Sequence, residues 1–149
     1  MMSINIRKDD LMSRTLVIIK PQAVQRGLSG QIIARYESKG LQLAAAELRM
    51  ASKTLLMNHY QEHQGKQFYN NLLESMQQGP VIVMIFEGPE AVTAARMLNG
   101  ATDPIKALPG TIRGDYGLTM ENNVVHASDS IQNAEREISI WFPKLAGTQ

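Results

Sequence analysis

Two apolar runs, "RTLVIIK" at 14–20 and "VIVMIFEG" at 81–88, set the narrowest limit on what this chain can become. Their β-branched and aromatic residues sit at consecutive positions, not alternate ones. As strands they must therefore be covered on both faces. Helices have to supply that cover, and the sequence between the runs has helical character.

Pro21 breaks the first run, and Gly27 and Gly30 punctuate a turn before "QIIARYESKG". There Ile32, Ile33 and Tyr36 share a helical face, and Gly40 supplies the stop. "LQLAAAELRMA" (41–51) reads as a second strand. Ser52 is the expected N-cap of "KTLLMNHYQEH", and "FYNNLLESMQQG" is a further short helix. "PEAVTAARMLNG" has proline at its start and glycine at its end, the usual asymmetry of a helix. After the loop "ATDPIKALPGTIRGDYG", "LTM" and "NVV" predict a last strand broken at a polar turn. A final helix is expected from Ile131 to Trp141, with Ile131, Ala134, Ile138 and Trp141 as its buried stripe. The order β-α-β-(αα)-β-α-β predicts an α/β sandwich: a roughly four-stranded antiparallel sheet in the ferredoxin-like βαββαβ arrangement. One domain is expected over 14–149, preceded by a flexible extension over 1–13 whose "RKDD" is unlike a signal peptide.

Composition excludes several functions. With 15 Lys+Arg against 14 Asp+Glu, the net charge of +1 offers no overall basic field for nucleic acid. Cys is absent, which removes disulfides, thiolate catalysis and cysteine-based zinc sites and suits a reducing, cytoplasmic setting. No apolar stretch approaches the ~18 residues of a membrane span.

The chemistry concentrates near "NNVVHASDSIQNAEREISIW". His126 ends an apolar strand, where an imidazole of near-neutral pKa can act as base or nucleophile. One ring nitrogen must be free to attack and the other must find an acceptor. Glu137, just beside the buried stripe of the last helix, is a candidate; Ser128 could orient it, and Asp129 or Ser130 could cap the helix. P-loop and dinucleotide-fold glycine signatures are both missing, so phosphates would have to be held by side chains. Lys20, Arg96 and Arg113 lie at strand ends or in the segments beyond them, where α/β proteins place ligands.

Taken together, "IIKPQAVQRGL", "HY.EH.G..FY", "GPVIVMIFEG", "R.LNGATDP", "PGTIRGDYG" and "NVVHASDS...AEREI.IWF" closely resemble the nucleoside diphosphate kinase family, over Arg14 to Phe142. The resemblance implies that His126 accepts a γ-phosphoryl group from a nucleoside triphosphate and passes it to a diphosphate in ping-pong fashion. It implies that Glu137 and Ser128 hold the ring, and that Lys20, Tyr60, Arg96, Thr102, Arg113 and Asn123 contact phosphates and sugar. Phe68 would stack on the base, with Leu72 and Met120 beside it. Mg²⁺ would arrive mainly on the nucleotide phosphates, with no protein cage of its own. Stacking without a base-edge reader implies broad base tolerance. A homo-oligomer is implied, a hexamer ahead of a tetramer.

Departures from the family pattern are Ala127 for a usual glycine, Gln22 and Ala23 in "KPQAV", Gln67 for proline, and an end at "WFPKLAGTQ". Ala127 motivates an alternative, a nucleotide-binding pseudoenzyme. Other readings are weaker. "HYQEH" fits H-x-x-E-H, a zinc-protease pattern, but reads more simply as a solvated helix face. "RGD" at 113–115 could serve adhesion. A ferredoxin-like nucleic-acid module would need aromatic residues that "KGLQLAAAE" lacks.

Overall fold

The computed structural model describes residues 12–147. Strands β1 (Ser13–Ile19), β2 (Gln42–Arg49), β3 (Val81–Gly88) and β4 (Val125–Ala127) form one sheet in the order β2-β3-β1-β4, every neighbouring pair antiparallel. Helices are α1 (Pro21–Gln25), α2 (Ser29–Lys39), α3 (Lys53–His59), α4 (Tyr69–Met76), α5 (Ala91–Asn99), α6 (Ile112–Tyr116) and α7 (Ile131–Trp141). This is the ferredoxin-like antiparallel sheet expected, with α3 and α4 inserted between β2 and β3. The expected extension lies outside the described residues up to residue 11, and Ser13 already belongs to β1.

Strand parity explains why the two defining runs are apolar throughout. Val17 and Ile19 of β1, with Met84 and Phe86 of β3, face a core closed by Ile32 and Tyr36 of α2 and Ala91 and Ala95 of α5. Leu16 and Ile18, with Val83 and Ile85, face a second core closed by Leu56 of α3, Leu73 and Met76 of α4, and Ile138 and Trp141 of α7. Leu16 through Ile19 are all 0% exposed, as a central strand between two helical layers requires. β2 is an edge strand, with small alanines and a register shift between Leu43 and Ala45. Helices cover both faces of β1 and β3, and the part of the sheet left open, on β2, carries no aromatic residue on which bases could stack. That removes the structural basis for a nucleic-acid module of the sheet-face kind. No helix among the described residues is long and apolar enough to cross a membrane.

Several expectations are corrected. Pro21–Gln25 and Ile112–Tyr116 are helices where turns and loop were predicted. "LTM" at 118–120 is not strand, and β4 is only three residues long. Ile131 is 64% exposed; the buried stripe of α7 is Ala134, Glu137, Ile138 and Trp141. The caps expected at Ser52 and Ser130 are made, each side-chain oxygen accepting a backbone N–H at 3.1 Å.

Candidate active site

His126 pairs across the sheet with Ile18, so it shares the Ile18 face and points toward α7. There its Nε2 lies 2.8 Å from Glu137 Oε1, which also accepts from Ser128 Oγ at 2.8 Å. Ser128 is fully buried, and the Leu16 N–H donates to its hydroxyl at 3.2 Å. The catalytic candidates are thereby fastened to the central strand. Burial pushes the Glu137 carboxyl up, but the charge and hydrogen bond of His126, together with Ser128, more than offset it and hold Glu137 below its ordinary value. An ionised Glu137 accepts only, so Nε2 of His126 carries the hydrogen, and in the neutral form of the ring Nδ1 holds the lone pair.

The turn before β4 is built from polar contacts around a strained residue. Val124, β-branched, has φ of 77°. Its carbonyl accepts from Lys20 N at 2.9 Å. Arg113 donates to the carbonyls of Gly100, Asn123 and Val125 at 2.9, 3.1 and 2.8 Å, bracketing Val124 on both sides. Asn123 accepts from Lys20 Nζ at 2.6 Å and donates to Thr102 O at 3.1 Å. Gly114 lets α6 approach closely enough for this: a Cβ there would lie 2.0 Å from Leu108 O. Burial, then repulsion from Arg113, lowers Lys20 to about 8, and burial chiefly lowers Arg113 to about 10. Arg96 is exposed, and its side chain makes no hydrogen bond among the described residues.

These groups line a cleft of about 540 Å³ that contains every predicted site residue except Ser128, which lies behind Glu137. At the mouth Phe68 is 49% exposed, with the His63 ring 5.3 Å away, Lys66 Nζ 5.9 Å above it, and Leu72 and Met120 lining the same cleft. Tyr60 is buried with an unpartnered hydroxyl. Sequence reasoning missed Asn71 and Ser75, which also line the cleft. Their spacing from Phe68 and Leu72 (68, 71, 72, 75) is a helical face that could have been read.

Two competing motifs dissolve. His59 and His63 do not share a helix, since α3 ends at His59 and His63 sits in a 3-10 turn. Nor is His59 a solvated residue; it is 2% exposed. In "RGD", Arg113 is turned inward and Asp115 accepts from Gly110 N and Arg35, so no free tripeptide is displayed. Ala127 lies in regular strand paired with Val17, outside the positive-φ residues, and packs in the first core.

A sequence profile of the family described as nucleoside diphosphate kinase matches residues 13–146. The chain belongs to the nucleoside diphosphate kinase family. It is 57% identical over 131 residues to a nucleoside diphosphate kinase of Mycobacterium avium, covering 87% of this chain and 96% of that one. The corresponding enzyme of Saccharopolyspora erythraea is 55% identical over 133 residues, covering 89% and 98%. Among solved structures of nucleoside diphosphate kinases, the apo form from Encephalitozoon cuniculi superposes with a TM-score of 0.88 at 39% identity, covering 92% of this chain and 93% of that one. A halophilic nucleoside diphosphate kinase from Halobacterium salinarum in complex with CDP gives 0.85 at 43% identity, covering 87% of each.

Proposed function

We propose that this nucleoside diphosphate kinase family member transfers the γ-phosphoryl group of a nucleoside triphosphate to a nucleoside diphosphate through a phosphohistidine on Nδ1 of His126. The observation that carries the reading is the 2.8 Å contact between His126 Nε2 and a buried Glu137, in a cleft that also holds Lys20, Arg96 and Arg113. Nδ1 attacks the γ-phosphorus, the bond to the β–γ bridging oxygen breaks, and the diphosphate leaves with that electron pair. A β-phosphate oxygen of the second diphosphate then attacks the phosphorus and restores Nδ1. The proton on Nε2 stays in place throughout, and the Glu137 carboxylate balances the positive charge that the phosphorylated ring gains.

Positioning and cations do the rest, because the transition state is loose and its charge is spread. Lys20 and Arg96 face the phosphates. Three of the five Arg113 N–H groups hold backbone carbonyls, and the other two remain for phosphate. The Tyr60 hydroxyl and Asn123 meet phosphate and sugar, Thr102 stands beside them, and Phe68 stacks on the base with Leu72 and Met120.

Mg²⁺ fits as the metal. Of the four carboxylates that line the cleft, Glu137 is committed to His126 and Ser128 and Asp129 accepts from Asn133, so the ion would be held chiefly through the nucleotide phosphates, with Glu62 and Glu121 in the same cleft. It supplies neutralisation of phosphate charge. His59, His126 and Glu137 place ligand atoms within 4.8 Å of one another, yet Trp141 donates to His59 Nδ1 at 3.0 Å and Glu137 holds His126 Nε2. His126 and Glu137 form a hydrogen-bonded pair, and His59 meets His126 through ring contact alone.

Phe68 with no base-edge reader supports use of purine and pyrimidine, ribo and deoxyribo nucleotides. Ala127 in ordinary strand geometry supports an active enzyme over a pseudoenzyme. Exposed apolar residues on the edge strand and nearby (Leu48, Met50) and on the loop after α5 (Ile105, Leu108) support a homo-oligomer, and the family resemblance alone puts a hexamer ahead of a tetramer. The cysteine-free chain suits the cytoplasm. Intact mass after brief incubation with Mg-ATP tests the reading. One acid-labile phosphoryl group, absent from His126→Ala and discharged by GDP, is expected. A protein that binds ADP but never labels would sink it.

A further inference from the structure

His59 is absent from the cleft lining, yet it touches the imidazole on which the chemistry turns. It ends α3, and its backbone is pinned by α7: Arg136 donates to Asn58 O and His59 O, each at 3.1 Å. Trp141 Nε1 donates to His59 Nδ1 at 3.0 Å. An indole nitrogen only donates, so Nδ1 must hold a lone pair and the neutral ring carries its hydrogen on Nε2. The ring stands edge-on to His126, centroids 4.6 Å apart and planes at 74°. Tyr60 and Trp141 flank it at 4.5 and 5.7 Å, so it has no room to rotate away. Burial, then the charge of His126, holds its pKa well below the ordinary histidine value; Glu137 opposes this, and Arg136 and Lys20 reinforce it.

We propose that His59 is a positioning residue for phosphoryl transfer. Trp141 fixes it as the Nε2–H tautomer, and the uncharged ring, wedged against His126, sets the plane of the reacting imidazole and leaves the Glu137 carboxylate to His126. The inference rests on the phosphohistidine reading of His126. A protonated His59 cannot accept from Trp141: its Nδ1–H would face the indole N–H, and its charge would compete with His126 for Glu137. The indole donor therefore does more than fill space. It makes protonation of His59 incompatible with the packed arrangement.

Single-turnover phosphorylation by Mg-ATP between about pH 5 and pH 8, beside ADP affinity, tests this. Trp141→Phe keeps most of the packing and removes the donor. Its phosphorylation is expected to slow roughly tenfold with ADP affinity unchanged, and to lose rate on the acid side at a higher pH than the parent, whose own limb comes from protonation of the attacking His126. His59→Gln offers an amide oxygen to Trp141 and stays neutral, so its pH profile should follow the parent's. The double variant should return to the parental profile. A folded Trp141→Phe with parental rate and profile, or a double variant that keeps the added acid-side loss, overturns the proposal. Imidazole nitrogen NMR gives a check that needs no variant, since the chain has only three histidines. His59 in the Nε2–H form is expected, and the Nδ1–H form overturns the proposal even if His126 labels normally. Failure of the unaltered protein to label, with His59 in the expected tautomer, instead overturns the phosphohistidine reading beneath it.

Discussion

Lys20 and Asn123, 103 residues apart in the chain, meet through a hydrogen bond of 2.6 Å. The contact joins the end of β1 to the strained turn before His126 and fixes the ammonium in the cleft, at the end proposed for the phosphates. Because burial and Arg113 lower Lys20 to about 8, its charge is at risk under mildly alkaline conditions. Nucleotide diphosphate affinity should fall as pH rises above about 8, approaching tenfold per pH unit. Stability should move the other way. Between about 8 and the ordinary 10.5 the unfolded chain holds a proton that the folded chain has released, so this residue's contribution to stability rises with pH. Calorimetric titrations with ADP and urea unfolding across that range check both signs. An affinity flat from neutral to strongly alkaline pH would remove Lys20 from the phosphate site.

Glu137→Gln should spare nucleotide binding but slow phosphorylation of His126 by about 10- to 100-fold, the equivalent of one charge-assisted hydrogen bond. Ser128→Ala should act in the same direction more weakly, since His126 still has Glu137. It also leaves the Leu16 N–H without its hydroxyl acceptor, at about 1 kcal/mol of stability. Rapid-quench labelling distinguishes the two. Parental kinetics in Glu137→Gln would mean the carboxylate is structural only.

Arg113 holds the carbonyls on either side of Val124, so its loss should be felt in folding as well as in turnover. Lysine is a single point charge and cannot reproduce a fork that reaches three acceptors. Arg113→Lys is expected to cost about 2–4 kcal/mol of unfolding free energy, visible as a lower urea midpoint. An unchanged midpoint would show that the turn holds itself.

Removing the exposed ring at the cleft mouth should weaken every nucleotide alike. Phe68→Ala is expected to cost about 1–3 kcal/mol in diphosphate affinity, with the order among ADP, GDP, CDP and UDP preserved. Phe68→Trp should retain most of it. A loss confined to one base would reveal a reader of base edges.

β1 and β3 were legible in the sequence because a strand buried on both faces is apolar whichever way its residues point. The start of α7 was legible because Ser130 caps it locally. α1 and α6 were not, being five residues each and too short for a helical period to register. Glu137 was placed at the rim of its helix because carboxylates are rarely buried; its burial depends on His126 and Ser128, which arrive from β4 and the turn after it. His59 was obscured for the same kind of reason. Nothing in "HYQEH" announces an indole 82 residues further on. Lys20, Arg96 and Arg113 were legible as a candidate set from their places at strand ends, but each alone reads as a surface charge, and only the family pattern gave them roles.

The pairing of Ile18 with His126 has a consequence for how such a chain can vary. Side chains alternate across the sheet, so the reacting imidazole and its neighbours Val125 and Ala127 belong to opposite layers. Replacing one apolar residue by another in β1 or β4 leaves that assignment intact. Inserting or deleting a single residue does not: it turns the imidazole into the α2–α5 layer and presents a methyl or isopropyl group to the phosphate. In these two strands the chemistry is protected against changes of letter and exposed to changes of count. Drift among relatives is therefore expected to run through substitutions there and to keep its gaps in the loops.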